Sequence, residues 1–163
     1  MDRGVLMKAR TIAMRICRCI CKEKNILFCS RSSNARVIVN SYESACKLIA
    51  YGQTIARLGD TLCRVAVEGM SVCDATIVRQ KVAYVLTSHF RVLEEHIYGR
   101  FPSLLPNHLK DGNVDDFINH CREESTEVPL VAVETIITNA QELLLIVNGV
   151  YAKKSKDEDR CDD

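Results

Sequence analysis

The sequence predicts an all-α fold, a single-domain bundle of four to five helices. Three observations carry that prediction. Apolar residues recur at helical spacing through three long segments, as on a face that turns about 100° per residue. The one β-prone run, Val37-Ile38-Val39, stands alone. Capping residues, glycines and prolines fall between the periodic segments, where helices start and stop. The chain has 163 residues, 47% of them hydrophobic and 26% charged, enough for one core without metal or disulfide staples. With no tryptophan, that core must be filled by Val, Ile, Leu and Ala.

The first segment, residues 5–22, reads as an amphipathic helix. Lys8, Thr11, Arg15, Arg18 and Lys22 share one narrow face, and Leu6, Ala9, Ile12, Ala13, Ile16 and Ile20 spread over the rest. Residues 23–34 carry Asn25, Ser30, Ser32, Ser33 and Asn34, the composition of a linker. The expected division is therefore a basic N-terminal helix plus linker (1–34), a bundle (35–153) and an acidic tail (154–163). The sequence leaves open whether residues 1–34 dock on the bundle.

Helical pattern resumes near Ala35 or Ser41 and runs to about Gly69, with Leu48, Tyr51, Ile55, Leu58, Leu62 and Val65 in a stripe. Gly52, Gly59 and Gly69 each weaken such a helix by about 1 kcal/mol relative to alanine, so they predict close packing, a kink or a break. A third helix is expected from an Asp74 cap to Tyr98, closed by Gly99. Pro102, Pro106 and Gly112 mark a loop. Asn113 should cap a short helix through Glu124, with Asp115 and Asp116 in its first turn. Ser125 and Pro129 should open a last helix to about Lys153. That helix is apolar over more than half its circumference, which predicts a central position. No uninterrupted apolar run approaches the roughly 18–20 residues of a membrane span.

The net charge of +1 conceals an asymmetry. From Arg3 to Lys22 there is no acidic residue, and the chain ends on an acidic run from Asp157 to Asp163. The basic helix has three readings: a mitochondrial targeting segment, a helix lying on an anionic membrane, or a core helix with a solvated basic edge. The last is the default. For a membrane or other anionic surface, the candidate residues are Lys8, Arg15, Arg18 and Lys22.

Nine cysteines, irregularly spaced and without a visible secretory signal, fit a reducing, intracellular, cytoplasmic setting better than a disulfide framework. Cys17, Cys19 and Cys21 act either as small hydrophobes or as reversible acylation sites beside the basic face. His89 and His96 are about 10 Å apart along a helix and cannot share one ion. No metal or other cofactor is expected. Neither a P-loop nor a nucleophile elbow is present, so no enzymatic role is expected. The chain also lacks the interleaved aromatics of a nucleic-acid binder.

One segment of the second helix, Tyr51-x-x-x-Ile55-Ala56-x-Leu58-Gly59-Asp60-x-Leu62, resembles the third homology motif of the Bcl family of apoptosis regulators. The resemblance implies helix-in-groove recognition of a protein partner. Tyr51, Ile55, Leu58 and Leu62 would be apolar anchors, Gly59 the close-approach position and Asp60 a polar lock. It spans twelve residues, and without tryptophan the chain cannot reproduce that family's tryptophan-containing motifs.

Overall fold

The structure, a computed structural model, describes residues 2–28, 36–124 and 128–158. Its elements are α1 (Arg3–Phe28), β1 (Arg36–Val37), α2 (Tyr42–Gly69), α3 (Val72–His89), a π-helical turn (Phe90–Glu94), α4 (Glu95–Arg100), α5 (Val114–Glu124), β2 (Val128–Pro129) and α6 (Leu130–Glu158). This is an all-α bundle. Helix α1 packs on α2 and α6, and α3 packs on the same two. The four long helices therefore form a ring in which α2 and α6 are diagonal. Successive long helices run antiparallel: Val5 at the start of α1 meets Gly69 at the end of α2, and Arg10 near the start of α1 meets Tyr151 near the end of α6.

Helix α1 is a full member of this ring. Leu6, Ala9, Ala13, Ile16, Ile20 and Leu27 are buried, so the apolar spacing runs past residue 22. Residues 23–28 are helical, not linker. The basic residues follow because a helix with one buried face must leave the opposite one to water.

Helix α2 begins at Ser41, whose hydroxyl accepts a hydrogen bond from Ser44 N at 3.3 Å, and an exposed Glu43–Lys47 pair supports its first turn. Only Met70 and Ser71 separate α2 from α3. The cap of α3 is Ser71 and not Asp74: Ser71 Oγ accepts from Asp74 N at 3.1 Å and bonds Asp74 Oδ2 at 2.7 Å. Asp74 supplies the other half of this reciprocal cap, a role its spacing disguised.

The third segment is one continuous rod in three windings. After His89 the chain widens into the π turn, closed by Glu95 N to Phe90 O, before resuming as α4. Gly99 does not terminate it. The glycine is helical, and a β-carbon there would fall 2.8 Å from the Cys121 carbonyl oxygen, so its absence lets α5 lie against α4. Two short 3₁₀ turns fill the loop before α5. Asn113 caps α5 as its position predicts, accepting from Asp116 N at 3.3 Å.

Near the start of α2, Val39 is buried and both of its backbone groups are claimed by α4. Its N–H donates to His96 Nε2 at 3.2 Å, and its carbonyl accepts from Arg100 Nε at 2.9 Å. Just before it, Arg36 pairs with Pro129 and Val37 with Val128, antiparallel. The β-prone run is therefore not isolated: it ties the entry of α2 to the entry of α6. Ser125 lies outside the described residues, and Pro129 precedes α6 within this pairing instead of occupying its first turn.

Helix α6 is a corner of the ring, not its centre. Val133, Ile136, Ala140, Leu143, Val147 and Val150 are buried, while Val131 and Leu145 are exposed on the outward face. The wide apolar face is divided between α1 and α3, and Ala132, Ile137 and Leu144 at its margins are only half-buried. Averaged over a window, however, Val131–Lys153 does reach the length and mean hydropathy (1.2) of a spanning helix. That corrects the expectation drawn from uninterrupted runs alone.

Candidate functional site

The two surfaces singled out by sequence have opposite fates. In α2, Ile55, Leu58 and Leu62 are buried in the core. Gly59 is buried as well, and a β-carbon there would sit 3.0 Å from Val82 Cγ1 and 3.4 Å from Leu86 Cδ1 of α3. The close-approach position is thus already filled, by the neighbouring helix of the same chain. Tyr51 is half-buried, with Lys22 Nζ 6.0 Å from its ring centroid. Asp60 faces water and pairs with Arg64, one turn on, at 3.1 Å. In this conformation the stripe is core packing, and only Asp60 of the six candidates is exposed.

On α1, Lys8, Arg15, Arg18 and Lys22 are all exposed. No ion pair joins Lys8, Arg15 or Arg18 to another described residue. From Lys8 to Lys22 the stripe runs about 21 Å at 1.5 Å per residue. Met7 and Met14 flank it, 55% and 37% exposed. Arg10 lies on the α6 side of the helix, its guanidinium 5.7 Å from the centroid of Tyr151.

The three clustered cysteines also separate. Cys17 donates to the Ala140 carbonyl at 3.1 Å, and burial, reinforced by Cys21, pushes its thiol up to about 11. Burial raises Cys19 too, partly offset by Lys22 and Arg15. Only Cys21 is exposed. Thiolate nucleophilicity falls as burial disfavours the charged form, so acylation chemistry has one accessible position of the three.

A third feature escaped the sequence reading. Glu23, His89 and Glu94 form a network in the middle of the apolar core. Glu23 and His89 are 2% and 3% exposed. His89 Nε2 donates to Glu23 Oε1 at 2.8 Å and Oε2 at 3.0 Å, and its Nδ1 lies 3.5 Å from Glu94 Oε1. Tyr98 Oη donates to Glu94 Oε2 at 3.4 Å. Burial works against the imidazolium, but the hydrogen bonds and charges of both carboxylates outweigh it and raise His89 to about 9. Burial raises Glu23, with the His89 bond opposing. The imidazolium form of His89 is thus favoured, and each partner satisfies the other's buried hydrogen-bonding groups.

Gly52 makes the network possible. A β-carbon there would fall 2.6 Å from Glu94 Oε1 and 2.8 Å from His89 Cε1, so the helix backbone of α2 forms the lid over the ring. The two carboxylates bracket the imidazole from different nitrogens and do not converge on one point. Consistent with that, no group of three or more His, Cys, Asp or Glu among the described residues is arranged to hold a metal ion. A signal for Glu23 was present: Ile16, Ile20, Glu23 and Leu27 follow the i, i+4, i+7, i+11 spacing of the buried face. The linker reading of residues 23–34 hid it. No such local signal points to Glu94.

Comparison of the chain with protein-family models, with curated proteins and with solved structures finds no match.

Proposed function

We propose that this protein is a non-enzymatic helical interaction module whose docking surface is the basic outer face of α1. The observation that carries the reading is the exposure of Lys8, Arg15, Arg18 and Lys22 along a helix whose opposite face is locked into the core. A preformed row of cations keeps most of its side chains solvated until a partner with dense negative charge arrives, and it needs no folding step to form. The buried network serves this surface indirectly, since Glu23 fastens the C-terminal half of α1 to His89 of α3.

The experiment is retention of the full chain on an immobilised polyanion such as heparin. Lys8→Glu together with Arg15→Glu should abolish retention at salt concentrations that the parent chain withstands. Equal elution of the two proteins would remove α1 as the docking surface.

A cell-death regulator acting through residues 51–62 requires a different state. Ile55, Leu58 and Leu62 can enter a partner's groove only if α2 leaves the ring, uncovering the core that α1 and α3 now share with it. A peptide spanning residues 46–68 tests that reading against a groove-bearing regulator. Binding that survives Leu58→Ala and Asp60→Ala unchanged would reject the motif.

A further inference from the structure

We propose that the surface docked by α1 is the interface of an anionic lipid bilayer, with the helix axis lying parallel to the membrane plane. The inference rests on the docking role proposed for α1 and names its partner. Its distinguishing observation is the pair of exposed methionines beside the cations. Met7 and Met14 are one heptad apart, so they lie on nearly the same side of the helix, next to Arg18 in projection. Among the described residues, both keep part of their side chain open to solvent.

Each candidate partner must account for both kinds of side chain. A nucleic-acid backbone would reward Lys8, Arg15, Arg18 and Lys22 but offers little to a thioether, and this stripe interposes no aromatic on which a base could stack. An anionic bilayer rewards both: headgroup phosphates for the cations, and the acyl boundary a few ångströms deeper for flexible, unbranched apolar chains. The long stems of lysine and arginine let the charges stay at headgroup level while the helix settles. The remaining polar residue of the stripe, Thr11, returns its hydroxyl to the Met7 carbonyl at 3.0 Å and so adds no unsatisfied donor to the contact. Because α1 is already folded on the bundle, binding carries no cost of ordering a helix, unlike that of a disordered basic peptide.

The test is co-sedimentation of the full chain with vesicles of phosphatidylcholine alone and of phosphatidylcholine with phosphatidylserine, at low and near-physiological salt. Binding should require phosphatidylserine and weaken with salt. Arg15→Ala with Arg18→Ala should lower the partition coefficient about thirty-fold. Met7→Gln with Met14→Gln should lower it about ten-fold on vesicles while leaving heparin retention unchanged. Both pairs are exposed, and circular dichroism should confirm that the variants fold. Arg57→Ala with Arg91→Ala, exposed cations of α2 and the π turn, is the control and should bind like the parent. Heparin retention lost on removing the α1 cations, without phosphatidylserine-dependent sedimentation, would overturn the lipid assignment and leave the docking surface standing. A duplex oligonucleotide bound in place of vesicles would do the same. Absence of both heparin and vesicle binding would overturn both proposals, and vesicle binding indifferent to the methionines would overturn the flat-lying geometry.

Discussion

Replacing His89 with glutamine probes the buried network by its sign as well as its size. A histidine raised from 6.5 to about 9 on folding binds its proton more tightly in the folded chain than in the unfolded one. The stability it contributes is therefore complete below pH 6.5 and is lost as pH rises toward 9. With those two values the loss is about 2 kcal/mol by pH 8 and about 3 kcal/mol by pH 9. Glu23, raised by burial, adds a loss of the same sign that begins as pH rises through the ordinary carboxylate range. Cys17, held up at about 11, adds a loss of like sign only above the ordinary thiol range. Urea midpoints of parent and His89→Gln at pH 6 and pH 8 isolate the term: the parent should lose about 2 kcal/mol more than the variant between them. The variant also leaves the buried Glu23 and the half-buried Glu94 facing a neutral amide and should be weaker by about 3–5 kcal/mol at pH 6. Should it fail to fold, the His89 ring resonances of the parent should titrate near 9 by NMR. A parent whose midpoint is flat from pH 6 to 8, with a His89 midpoint near 6.5, would refute the favoured imidazolium.

Three further outcomes follow from the packing. Gly52→Ala should destabilise by about 1–3 kcal/mol in thermal unfolding, because the new methyl meets Glu94 and His89 and overpacking exceeds the helix-propensity gain. Gly149→Ala, at an exposed α6 position with nothing within 4 Å, should stabilise by up to about 1 kcal/mol. Leu62→Ala should cost about 2–5 kcal/mol, since its side chain is fully buried, whereas Asp60→Ala should change unfolding by under about 0.5 kcal/mol. Similar values for these last two would contradict the burial of the stripe.

Local pattern revealed which face of each helix is apolar. The residues 48, 55, 58 and 62 assigned to one stripe are indeed buried together, and Asn113 caps the helix that its spacing indicated. Periodicity does not say what covers a face. The same spacing in α2 suited a groove on a partner and suits α3 here, with Val82 and Leu86 in the place of that groove. Long-range choices were equally hidden. The pairing of Glu23 with His89 spans 66 positions, and Gly99 read as a stop signal because a glycine needed for close approach by α5 looks the same in sequence. For the basic stripe the sequence was nearly sufficient: an acid-free helix with one apolar face leaves its cations nowhere but water.

The π turn sets the direction in which everything beyond it points. Val85, His89, Leu93 and Ile97 are buried at successive intervals of four residues, and on a straight α-helix each such interval carries the face forward by about 40°. The wider winding at Phe90–Glu94 takes up that drift, so His96 can still reach Val39. The segment acts as a clutch in the rod, with one surplus residue held in the winding. Rewinding the same residues as a regular α-helix, with none held in slack, would turn α4 by about 100°. His96 and Arg100 would then swing off the strand that leads into α2. Two helices at opposite corners of the ring therefore owe their shared anchorage to a single residue of slack in a third.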